Sequence, residues 1–65
     1  MKYYTLYRPP IMGTIPRGFT SICAYDERTF IPEIGRAAWG YVVYDRELTT
    51  REIDEYELER AVRDD

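Results

Sequence analysis

The side chains able to do chemistry in this chain are carboxylates, arginines and tyrosines. There is no histidine, and Ser21 and Cys23 are the only serine and cysteine. A hydroxyl or thiol nucleophile needs an adjacent base to activate it, and neither residue has the usual one. Both read better as positions on a strand, so no catalytic residue is assigned. The same counts rule out an intrachain disulfide and zinc sites built from Cys and His. Gly13-Thr14-Ile15-Pro16-Arg17-Gly18 has neither the lysine nor the spacing of a phosphate-binding loop. Asp26 with Glu27, or Asp45 with Glu47, could offer oxygens to a Mg²⁺-type ion. Such pairs are also ordinary turn residues, so no metal or cofactor is assigned; Mg²⁺ or Mn²⁺ enters only with a DNA-nicking reading.

Two recognition chemistries remain. Arg8, Arg17 and Arg28 with Tyr7 and Tyr25 could track a nucleic-acid strand, the arginines on phosphates and the rings on bases. The competing reading of the tyrosines is structural: they pack under a helix and line a subunit interface. An acidic pI near 4.9 counts against a dedicated nucleic-acid binder. The other chemistry is acidic. Residues 1–44 carry five basic and three acidic side chains, a net of +2, whereas residues 45–65 carry four basic and nine acidic, a net of −5. Glu52, Glu55 and Glu59 with Tyr56 are therefore the candidate protein-binding residues, an acidic face for a basic partner. A solvated helix face gives the same pattern.

These groups need elements to hold them. The clearest is a helix start at Leu48-Thr49-Thr50-Arg51-Glu52-Ile53. Thr49 suits the N-cap, Glu52 closes a capping box, and Leu48 with Ile53 forms a hydrophobic staple. The helix runs from about Thr50. Ile53 and Tyr56 share one face, but Leu58, Ala61 and Val62 fall on another. Either the helix stops near Tyr56 and Glu57-Leu58-Glu59 is extended, or it continues to about Val62 and is buried on two sides. The second is the expectation, with Arg60 and Arg63 near the end suiting the macrodipole.

Four strands precede that helix. Lys2 to Arg8 reads as the first, ended by Pro9-Pro10. Ile11 to Gly18 is a loop whose Ile11, Met12 and Ile15 are expected to cover an edge of the core, with a partner-binding lip as the alternative. Phe19 to Tyr25 is the second strand, Asp26-Glu27 a hairpin turn, and Arg28 to Ile31 a short third strand. Pro32 stops it, and Gly35 turns the chain at positive φ. Ala38 to Tyr44 is the fourth, with Trp39, Tyr41 and Val43 on one face. Gly40 marks a close approach by backbone or by an aromatic ring. The fold class is α+β: an antiparallel sheet of three to four strands followed by one C-terminal helix, in a single domain over residues 1–65.

A chain of 65 residues buries only about 60% of its unfolded surface. Lacking disulfides and zinc, and carrying seven tyrosines, two phenylalanines and a tryptophan, it is expected to be a homo-oligomer or to need a partner. No apolar run is long enough for a membrane span. The lone cysteine and the lack of an apolar run in the first residues suggest a reducing cytoplasm.

The segments Tyr3-Tyr4-Thr5-Leu6-Tyr7-Arg8-Pro9, Tyr25-Asp26-Glu27-Arg28-Thr29, Gly35 to Thr49 and Tyr56-Glu57-Leu58 carry a resemblance. Trp39-Gly40-Tyr41 is its most specific part. Together they resemble short accessory proteins of phages, prophages and conjugative elements in gut Firmicutes. The resemblance implies antagonism of a host defence system, of the kind shown by anti-CRISPR inhibitors of Cas9. Strands followed by a helix are also similar in layout to the single-strand-binding transcriptional coactivator fold, which dimerises. The expected function is anti-defence action by direct protein binding. The alternative is a DNA-binding or DNA-nicking protein. Its expected partners are its own copies and a host defence protein or nucleic acid, with no membrane.

Overall fold

Strict alternation along residues 36–44 sets the middle of the fold. Ala38, Gly40, Val42 and Tyr44 are buried, and Ala37, Trp39, Tyr41 and Val43 between them are half-buried. A strand with that period presents one face to a core and the other to a thinner cover. The structure, a computed structural model, describes residues 1–61. In chain order they form β1 (Lys2–Thr5), β2 (Phe19–Ile31), β3 (Arg36–Tyr44), α1 (Thr50–Glu55) and β4 (Leu58–Arg60). The strands make one antiparallel sheet in the order β2-β3-β1-β4. The α+β class is as expected, with four strands and one short helix near the C-terminus.

Register decides what shares a face. Tyr3, Val42 and Ile22 stand in one row across the sheet; Thr5, Gly40, Ala24 and Leu58 stand in another. This face packs Tyr3, Val42, Tyr44 and Leu58 with Ile15 and Leu48, and Phe19, Ile53 and Tyr56 close over them. Loop 6–18 and α1 thus cover it. Each fully buried side chain of this size is worth roughly 1.5–3 kcal/mol. On the opposite face Tyr4, Tyr41 and Cys23 share a row with Glu59. A smaller cluster groups Tyr4, Ala38 and Ala61 with Ile31, Ile34 and Tyr41.

The four strands are not the four read from the sequence. β1 ends at Thr5 because the chain bends over Leu6–Arg8. Phe19 to Ile31 is one strand of 13 residues, not a hairpin. Asp26-Glu27 lies in an irregularity between Ala24 and Thr29, where extra residues of β2 face β3 without reversing the chain. The helix is shorter than expected. It ends at Glu55 with Tyr56 as C-cap, and Glu57 takes φ 56°. That left-handed residue redirects the chain, so Leu58 reaches the same core as Ile53 from a strand. The two-sided apolar pattern came from a change of element, not from a helix buried on both sides. Arg60 is accordingly on β4 and ion-paired to Glu47, not in the last turn of a helix. Val62 and Arg63 lie outside the described residues.

The helix start forms as expected. The Glu52 backbone N–H donates to Thr49 Oγ1 at 3.1 Å, and the Thr49 N–H donates to Glu52 Oε1 at 2.9 Å. Gly35 turns at φ 68°. Gly40 is the predicted close approach, but the ring across it is a proline. A Cβ built there would meet the Cys23 carbonyl oxygen and stand 2.7 Å from Pro10 Cδ. Of Ile11, Met12 and Ile15 only Ile15 reaches the core; Ile11 is 56% and Met12 82% exposed. No helix among the described residues is long and apolar enough to cross a membrane.

Candidate functional site

Three buried tyrosines each tie a distant segment to the sheet. Tyr3 on β1 accepts the Leu48 N–H at 2.9 Å, holding the approach to α1. Tyr44 on β3 donates to the Pro16 carbonyl at 2.6 Å, holding loop 6–18. Tyr4 donates to Glu33 Oε1 at 2.9 Å, holding the β2–β3 turn. Burial, with Glu33 adding to it at Tyr4, pushes the Tyr4 and Tyr44 hydroxyls up to about 12. Both are neutral donors at physiological pH.

The face opposite α1 carries the densest aromatic group. The Lys2 ammonium sits 4.4 Å from the Tyr41 ring centroid and 5.1 Å from that of Tyr4, within cation–π range. Tyr41 meets Tyr4 edge-on at 6.4 Å and Tyr25 at 6.2 Å. Burial raises the Tyr25 hydroxyl as well. The result is a partly exposed surface of tyrosine rings and one ammonium. Lys2 and Tyr41 meet across two strands that are remote in sequence. Their juxtaposition depends on the pairing of β1 with β3, which no local motif announces.

A separate cavity of about 390 Å³ opens between loop 11–18 and the end of α1. Met12, Ile15, Phe19 and Tyr56 line it with Gly13 and Arg17. Tyr56 is thus part core and part cavity wall.

The acidic candidates do not form one helix face. Glu52 closes the capping box and also receives two hydrogen bonds from Arg46, at 3.1 and 3.2 Å. Those partners hold its carboxyl at about 2, with Arg46 the larger cause. Glu59 stands on β4, paired to Arg36 at 3.1 Å. Glu55 is exposed on α1, beside the exposed Asp54, which the sequence reading did not single out. The basic candidates are scattered too. Arg8 is bound to Glu57, and Tyr7 accepts from Arg36 at 3.3 Å. Arg17 lies at the cavity and Arg28 in the irregular part of β2. Among the described residues no three Cys, Asp or Glu side chains come together as a metal site.

A protein-family model described as Defence against restriction A C-terminal matches residues 1–63. No curated protein and no solved structure matches the chain.

Proposed function

Because the chain belongs to the Defence against restriction A C-terminal family, we propose that it antagonises a host restriction system by binding a protein of that system directly. The match over nearly the whole chain is the observation that carries this reading, and it supports an anti-defence role for a phage or mobile-element protein. The contact chemistry is acidic. Asp54 and Glu55 are exposed on α1, whereas Glu52 and Glu59 are already engaged within the fold. Restriction enzymes present basic grooves to DNA, and exposed carboxylates suit such a surface. An anti-CRISPR action would use the same chemistry against another nuclease.

A second reading is DNA binding. It draws on Arg17 and Arg28, which form no ion pair among the described residues, and on the half-buried Tyr25.

The test is plasmid transformation into a restricting host with and without the protein, beside binding of the purified protein to the purified restriction enzyme and to plasmid DNA. Protection of unmodified plasmid, with a complex that weakens as salt rises, is the expected result. Asp54→Lys with Glu55→Lys should abolish that complex. A protein that protects but binds only DNA, with dependence on Arg17 and Arg28, would replace the first reading by the second.

A further inference from the structure

The two edges of the sheet differ. β4 is three residues long, and two of them, Glu59 and Arg60, are charged. Short, charged edges are the usual defence against unwanted strand pairing. β2 forms the other edge, and its stretch Phe19-Thr20-Ser21-Ile22-Cys23-Ala24-Tyr25 carries no charge at all. Thr20, Ser21, Ile22 and Ala24 are exposed, Ile22 by 37%. From Ser21 to Ala24 the strand pairs regularly with β3, so its outer side presents a regular row of backbone groups.

Charge flanks this run on both sides and with opposite signs. Arg17 precedes it; Asp26 and Glu27 follow it. All three are exposed, and none makes a side-chain hydrogen bond or ion pair among the described residues. Their order is self-complementary. If two copies of β2 lie antiparallel with Ile22 opposite Ile22, Ser21 faces Cys23 within the regular stretch, and the Arg17 end of each copy lies toward the Asp26-Glu27 end of the other. The same pairs recur on the other side of the two-fold axis, as an isologous interface requires.

We propose that the β2 edge is a homodimer interface, in which two copies pair antiparallel about Ile22 and join their four-stranded sheets edge to edge. A two-fold axis normal to the sheet keeps like faces together. Both α1 helices then lie on one side, and the Lys2–Tyr41–Tyr25 groups of both copies lie on the other as one surface. The occupant is a second copy, because the charges that bracket the run match its own reversed sequence.

Sedimentation velocity across micromolar concentrations tests the interface, and cross-linking tests its register. The expected result is a concentration-dependent dimer. Ile22→Lys places two ammonium groups opposite each other and should leave a folded monomer, its fold checked by circular dichroism. Arg17→Glu and Glu27→Arg should each weaken the dimer on the order of 10-fold, and together restore it. Ile22→Cys in a Cys23→Ser background should form an intermolecular disulfide on mild oxidation, since directly opposed residues lie within disulfide range. A wild-type chain that stays monomeric would overturn the proposal and leave the edge to a strand from another protein. So would a dimer that survives Ile22→Lys and fails to cross-link through position 22.

Discussion

The hydroxyl of Tyr44 donates to the carbonyl oxygen of Pro16 at 2.6 Å, inside the core. Proline has no N–H of its own, so this carbonyl is its one polar backbone group. The bond ties loop 6–18, with its five glycines and prolines, to the most regular strand of the sheet. It also places Ile15 next door, among the buried residues under α1.

Tyr44→Phe keeps the ring and removes the donor. The Pro16 carbonyl is then buried without a partner, which costs about 1–3 kcal/mol. Urea unfolding should show a lower midpoint at an unchanged slope. A midpoint equal to wild type would mean that water replaces the hydroxyl and that the loop does not depend on it.

Gly40→Ala tests the contact between β3 and the Pro10 ring. The added Cβ meets a flexible ring on one side and the Cys23 backbone carbonyl on the other. Only the ring can yield, so the substitution should cost more than about 2 kcal/mol. Pro10→Ala in the same background should recover little of it. Thermal melting of the single and double variants separates the two contacts, and full recovery in the double variant would locate the whole conflict at the ring.

The pH dependence near the helix follows from Glu52. Its folded carboxyl lies at about 2, below the ordinary glutamate value of 4.5, because Arg46 and then the Thr49 N–H bond its charged form. A depressed carboxyl stabilises the fold above its unfolded value. That contribution is complete above about 4.5 and is lost as pH falls toward 2. Glu52→Gln should flatten the fall in stability across this window. Chemical denaturation at several pH values measures it, and parallel curves for the two proteins would contradict the assignment.

Glu57 holds the turn between α1 and β4 with φ 56°. A β-branched residue is strained there, whereas asparagine is not. Glu57→Val should destabilise by about 1–2 kcal/mol and Glu57→Asn by much less. Arg8→Ala reports the exposed ion pair separately, which is worth about 1 kcal/mol or less. Equal losses for Val and Asn would show that the ion pair, not the backbone, sets the cost.

Some of this architecture was legible in the residues alone. The Thr49–Glu52 capping box, the positive φ of Gly35 and the alternation of residues 38–44 are local signals, and each appears as expected. β4 was not legible as the first choice. Its turn uses a glutamate where the usual signal is glycine or asparagine, and its three residues are extended because β1 is there to pair with them. The Asp26-Glu27 turn failed for a related reason: an irregular strand and a hairpin use the same polar residues. The site residues were harder still. Whether a tyrosine is buried depends on partners such as Pro16, Glu33 and Leu48, remote in sequence. Glu52, Glu55 and Glu59 looked like one face only while the helix was taken to continue.

β1 lies inside the sheet although it comes first in the chain, and both of its neighbours are synthesised long after it. The β2–β3 pair can form early, because a short turn joins its strands. β1 must wait for β3 and then for β4, closing large loops each time at an entropic cost. Folding should therefore be slow for so small a protein, in the range of sheets dominated by distant pairings. Stopped-flow refolding should find Tyr3→Phe changing mainly the unfolding rate, and a substitution at the β2–β3 turn changing mainly the folding rate. The reverse pattern would mean that the first strand seeds the sheet rather than completing it. If the last strands to dock are also the first to leave, amide exchange at β1 and β4 should run ahead of exchange in the β2–β3 pair.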